Sequence, residues 1–435
     1  MNGFFAEEFE ADAPTDDTTT KANGPDTGNT AWPELGAAAY RGLAGEVVTT
    51  LLPQTEADPV ALLLQYLTYF GNAVGRGPHY MVENDKHFAN LFVLLAGNTA
   101  KARKGLSAGR IRHVFDTADP DWARECITGG MSSGEGVLHA IRDPVYTVKK
   151  GVSVMTDPGV ADKRLLLDER EFYSALEVMK REGNILSRIV RDAWDCRPVL
   201  RTLTKNNQTR VTNGFISIVG HITIEELRQK LDHTSMANGY ANRFLYGCVH
   251  RSKMLPFGGD VLNTTDLGKR TRDALETARN FDRVDMTTAA MELWAAVYPQ
   301  LSDEVPGLMG SLTARAEGQT IRQALIYALL DRADKIDHVH LEAGLSVWVF
   351  CDASARFIFG DVTGDTTADA ILRALRSAGA TGKTRTELHA LFGKNRRGGD
   401  IGQALDLLMQ RGKARSVSTP PAGRRGRPIE TWYAI

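Results

Sequence analysis

Three separated stretches of this chain carry residue types that suit phosphate chemistry. The first is GNTAKARKGLS, Gly97 to Ser107, directly after the apolar run FANLFVLLA. A small-residue turn between a buried strand and a helix points successive backbone N–H groups into a concavity, where they and the helix N-terminus hold a phosphate. On this reading Gly97, Asn98, Thr99, Ala100, Lys101, Ala102, Arg103, Lys104, Gly105, Leu106 and Ser107 wrap a nucleotide, and Lys104 reaches its β and γ phosphates. The loop departs from the pattern G-x-x-x-x-G-K-S/T. Gly97 to Lys104 is one residue too long, Gly105 follows the lysine, and no hydroxyl comes directly after it. Ser107 is the nearest hydroxyl for a Mg²⁺ ion, with Thr99 second. A solvated basic surface turn is the alternative.

The second stretch is LLLDE, which puts Asp168 and Glu169 at the end of an apolar run. Carboxylates there suit phosphoryl transfer: Asp168 holds Mg²⁺ through its waters and Glu169 polarises the attacking water. An acidic pair that caps the following helix is the plainer reading. Glu135, inside the Gly/Ser-rich GGMSSGEGVLHAIRD, is the rival base, and Glu171 is third. The third stretch is GFISIVGHIT, whose His221 follows an apolar strand at the edge where ligands of α/β sheets collect. It is a candidate γ-phosphate sensor, or a hydrogen-bonded core or capping histidine. Arg243, in NGYANRFLYG, suits a rigid guanidinium that stabilises transition-state charge in a neighbouring subunit. An intramolecular salt bridge is its other reading. Arg315 and Arg322 are weaker candidates for contacting phosphate from a lid.

These residues need a frame. Phe88 to Ala96, Arg164 to Leu167 and Gly214 to Gly220 are short, nearly continuous apolar runs that end in polar residues, as strands buried on both faces do. Helical patterns lie between them. Strands alternating with helices predict an α/β fold with a mainly parallel sheet. Pro59 to Val74 repeats apolar residues at helical spacing, and Tyr40 to Leu52 does so more weakly. Phe172, Leu176 and Met179 share one helical face; Leu186, Ile189, Val190, Ala193 and Trp194 share another. Thr223 with Glu226 forms a capping box that fixes a helix start. Leu267 to Phe359 is almost wholly helical and reads as a separate module or a lid.

Charge divides the chain further. Residues 1 to 30 hold seven acids against Lys21 and are expected to be a disordered acidic tail. Thr366 to Ile435 holds thirteen basic residues against five acidic ones, although the whole chain has a net charge of −1. Domains are therefore expected at 31–265, 266–362 and 363–435. The last of these reads as three helices, Ala368 to Ser377, Thr384 to Phe392 and Asp400 to Arg411, followed by strands at Lys413 to Ser418 and Glu430 to Ile435. That order resembles a winged helix whose third helix enters the major groove of DNA. Arg424, Arg425 and Arg427 then lie in the wing and reach phosphates or the minor groove, while Lys394, Arg396 and Arg397 add backbone contacts. A protein-binding winged helix is the alternative. The four cysteines, Cys126, Cys196, Cys248 and Cys351, show no ligand spacing and are expected to be reduced. With no secretory signal and no apolar stretch of spanning length, a cytoplasmic location is expected.

Taken in order, GNTAKARKGLS, SSGEG, LLLDEREF, REGNILS, AWD, GHIT and NGYANRFL resemble the RecA-like P-loop ATPase and helicase-like family found beside primase-polymerase modules of phages, plasmids and integrated elements. The likeness covers roughly Pro59 to Gly360. It implies ATP at Gly97 to Ser107, carboxylates at Glu135, Asp168 and Glu169, a sensor at His221 and an arginine at Arg243. An ATP-dependent helicase or translocase of DNA follows, working with Mg²⁺ as a homo-oligomer such as a hexamer. A separate primase or replication protein is the expected partner, since no primase domain fits before Pro59. The second reading is a DNA-binding initiator or regulator that nucleotide switches without turnover.

Overall fold

Short runs rich in Val, Ile and Leu become the strands of one parallel sheet, because a strand covered on both faces needs apolar residues in both directions. The computed structural model describes residues 31–98, 104–202, 209–231, 238–305, 307–360, 363, 365–392, 398–420 and 428–435. The predicted acidic tail lies outside them. β1 (Phe92–Gly97), β2 (Ile127–Thr128), β3 (Arg164–Glu169), β4 (Phe215–Thr223) and β5 (Leu245–Cys248) run in the order β5-β1-β4-β3-β2. Every pairing is parallel. β1 starts four residues after its predicted start, since Phe88 closes a separate hairpin of His79–Val82 with Asp85–Phe88. β4 runs on to Thr223, beyond the predicted end at Gly220, so His221 lies inside the strand.

Helices cover both faces. Val93, Leu95, Leu166 and Val219 face a core shared with α1 (Gly42–Leu51), α2 (Pro59–Val74), α3 (Lys104–Ala118) and α4 (Pro120–Glu125). Phe92, Leu94, Leu165 and Ile218 face the other way, toward α5 (Gly134–Ala140), α6 (Phe172–Met179), α7 (Leu186–Trp194) and α8 (Ile224–Lys230). Chain direction explains the split. The step from β1 to β2 passes β4 and β3 one way and the later steps return, and a right-handed crossover changes face when its direction reverses. The reversal falls between β1 and β4, so a crevice opens outside their carboxyl ends.

The helical segment is not the separate module its sequence suggests. α9 (Thr265–Ala278), α10 (Ala316–Leu330) and α11 (His338–Phe359) bury Leu275, Leu325 and Val347 in the same cluster as α2 and α3. Beyond α11 a smaller core holds Ile371, Leu375, Leu388, Leu405, Leu408 and Trp432. It lies between α12 (Thr366–Ala378), α13 (Arg385–Ala390), α14 (Gly398–Gln410) and an antiparallel sheet of β6 (Lys383–Thr384), β7 (Ala414–Thr419) and β8 (Ile429–Ala434) in the order β6-β8-β7. The predicted helices and hairpin strands here agree to within two residues. A further hairpin between α5 and β3, Val145–Lys149 with Val152–Asp157, leaves Tyr146, Val148, Val152 and Met155 exposed. Among the described residues no helix is long and apolar enough to cross a membrane.

Candidate functional site

β3 ends in Asp168-Glu169, and strand alternation turns the two side chains to opposite faces. Asp168 faces α2, where the Tyr69 hydroxyl donates to its Oδ2 at 3.1 Å. Its Oδ1 is buried and has no hydrogen-bond partner among the described residues. Burial pushes the Asp168 carboxyl above the ordinary carboxylate value, opposed by the Tyr69 hydrogen bond and the charges of Arg170 and Arg112. Glu169 accepts from the Met131 N–H at 2.6 Å. Burial raises its pKa too, against the Met131 and Gly130 N–H groups. Both carboxylates line one cleft of about 440 Å³ with Arg112 of α3, Arg170, Glu171, Thr128 at the end of β2 and the Gly129-Gly130 turn that follows it. That turn needs its glycines: a Cβ on Gly129 would sit 2.8 Å from the Asp168 carbonyl oxygen, and Gly130 has φ of +88°.

A polar stripe on α2 supports this strand end. From Val60 to Val74 the helix is buried all round, so any polar side chain on it must find a partner or cost about 1–3 kcal/mol. Gln65, Tyr69 and Asn72, spaced as i, i+4 and i+7, share one face. Gln65 hydrogen-bonds His221 at 2.9 Å and Tyr69 holds Asp168. Asn72 donates to the Leu165 carbonyl at 3.1 Å and to Ser217 Oγ at 3.2 Å, and accepts from Trp122 Nε1 at 3.0 Å. Three side chains of one helix thus hold four residues of β3 and β4.

The predicted residues meet only in part. Thr99, Ala100, Lys101, Ala102 and Arg103 lie outside the described residues, as does the side chain of Lys104, whose backbone opens α3. Gly97 ends β1, while Gly105 and Leu106 are exposed. Ser107 is fully buried and does not line the cleft, so of the two predicted metal ligands only Asp168 is found there. Asp168 is level with Val219 and Val93, four residues short of Gly97. Glu171 lines the cleft, whereas Glu135 stands in the first turn of α5, away from it. His221 is 3% exposed and takes the form of a hydrogen-bonded core histidine. The predicted DNA-binding residues Lys394, Arg396, Arg397, Arg424, Arg425 and Arg427 lie outside the described residues.

The three predicted arginines gather elsewhere, around Trp194. Arg322 stacks 3.7 Å from its ring centroid, Arg315 at 4.6 Å and Arg243 at 5.7 Å. Arg322 is buried and donates to the Asn90 carbonyl at 3.1 Å and the Trp194 carbonyl at 2.9 Å, and burial pushes its pKa down to about 10. Arg243 is 6% exposed, donates to the Gly239 carbonyl and pairs with Asp195 at 2.8 Å. Asn90 precedes β1 and Arg243 precedes β5, whose Leu245 is level with Val93. The cluster therefore sits at the amino edge of the sheet, about 20 Å from the Gly97 turn by the rise of a six-residue strand. Arg243 takes its intramolecular form, and Arg322 clamps the core instead of reaching from a lid.

Sequence reasoning missed Tyr69 and Arg112. The signal for Tyr69 was the i, i+4, i+7 polar stripe in an otherwise apolar helix. Arg112 had none, because only the packing of α3 brings it to the β3 end. No protein-family model matches this chain, and no curated protein is significantly similar to it.

Proposed function

We propose that the chain is an ATP-dependent DNA translocase or helicase-like protein with a RecA-like P-loop core and a C-terminal winged helix. The observation that carries this reading is topological. The Gly97 turn and the Asp168-Glu169 pair leave the same carboxyl edge of one parallel sheet, on strands separated only by β4. That edge is where the connections reverse, and the loop is followed by a helix. Asp168, whose buried Oδ1 has no partner among the described residues, fits a carboxylate built to hold a hydrated cation. A bound Mg²⁺ supplies charge neutralisation on the phosphates. Glu169, its pKa raised by burial, suits the orientation of the attacking water.

The C-terminal order α12-β6-α13-α14-β7-β8 is similar to a winged helix, and its thirteen basic residues favour DNA over a protein partner. Ring assembly loses the support of Arg243, which is committed within the chain. The test is ATP hydrolysis stimulated by single-stranded DNA. It is expected in the wild-type protein and to disappear in Lys104→Ala and Glu169→Gln, with Glu169→Gln still binding nucleotide. Nucleotide binding without turnover in the wild type points instead to a switched DNA-binding initiator. No nucleotide binding at all removes the proposal.

A further inference from the structure

Tyr69 is fully buried in α2, with its ring against Phe115 of α3 at 5.6 Å and Trp122 of α4 at 5.9 Å. A tyrosine has only two side-chain torsions, and packing from two helices leaves the hydroxyl one place to point. That place is Oδ2 of Asp168. The partnership engages one carboxylate oxygen and leaves the other, Oδ1, without a donor among the described residues. Arg112 of α3 lines the same cleft but donates to the Ala123 carbonyl at 2.9 Å, so it does not replace the tyrosine at Asp168. We propose that Tyr69 is a positioning residue for the metal: by holding Oδ2 it makes Asp168 present Oδ1 alone to the cation or its water. This inference rests on the nucleotide-site reading above. It also gives α2 a task, since the helix that follows the phosphate loop and the strand that carries the acid are both registered on one of its side chains.

Hydrogen-bond donors behind a metal-ligating group typically account for roughly tenfold or more in metal affinity. Tyr69→Phe removes the hydroxyl and keeps the ring, so the packing with Phe115 and Trp122 survives. The probe is Mn²⁺, titrated by electron paramagnetic resonance into the full chain with a non-hydrolysable ATP analogue. Tyr69→Phe is expected to weaken Mn²⁺ binding about tenfold, while leaving metal-free nucleotide affinity unchanged and lowering kcat more than it raises KM for ATP. In an Asp168→Asn background the same change is expected to be silent. Wild-type Mn²⁺ affinity in Tyr69→Phe overturns the assignment, as does a further loss in the Asp168→Asn background. If the wild-type protein shows no nucleotide-dependent Mn²⁺ binding, the site reading itself falls and the assignment with it.

Discussion

Arg243 shows how a residue's surroundings decide between two readings that its neighbours in sequence leave open. Its guanidinium is enclosed, stacked on Trp194 and paired with Asp195, so taking it away forfeits that packing and a charge-assisted hydrogen bond, although Arg315 at 3.7 Å still faces Asp195. Arg243→Met is therefore expected to cost about 2 kcal/mol of unfolding free energy, measured by urea titration. ATP hydrolysis per folded molecule should remain within about twofold of wild type. Unchanged stability with lost hydrolysis would restore the transition-state role. His87 gives a second prediction. Burial first, then the charge of Arg322, pushes its pKa down to about 4 from the ordinary 6.5. The unfolded chain takes up the proton as pH falls below 6.5, while the folded protein resists it until about 4. The stability His87 contributes is thus complete above pH 6.5 and declines toward pH 4, by roughly 3 kcal/mol at most. His87→Gln should flatten that decline, and parallel stability curves for the two proteins would contradict it.

At the scale of elements, periodicity was a sound guide where a segment was long enough to show one. α7 buries Leu186, Ile189, Val190, Ala193 and Trp194, the face its spacing predicts. The Thr223–Glu226 capping box forms in both directions, at 2.9 and 3.1 Å. β1, β3 and β4 were legible as apolar runs. β2 and β5, two and four residues long, were not, since so few positions carry no period and are held by neighbours already in the sheet. For the same reason the acid pair could be located but not its supports: Tyr69 and Met131 reach Asp168 and Glu169 from 99 and 38 residues away. The integration of α9, α10 and α11 into the main core was also hidden, because an apolar helical face does not say what it will face.

The whole molecule holds a large core, which carries the cleft with Asp168 and Glu169, and a basic C-terminal segment with its own small core; the proposed function assigns nucleotide to the first and DNA to the second. Deleting Thr366 to Ile435 should weaken DNA binding and flatten its salt dependence, by about 0.9 in the log-log slope for each phosphate that is no longer neutralised. An unchanged slope in a salt titration would place the DNA-binding surface elsewhere. The hairpin Val145–Lys149/Val152–Asp157 has a practical consequence of a different kind. The main sheet offers little margin for another chain to pair with, since β2 at one border spans two residues and β5 at the other spans four buried ones. The hairpin offers two strand margins with valines exposed on both sides, and near its tip Lys149 and Lys150 are the charges that could repel a visitor. Concentrated solutions should therefore clump through this element first. Val148→Lys with Val154→Lys is expected to reduce light scattering at high protein concentration without slowing ATP hydrolysis, and equal scattering would clear the hairpin of blame.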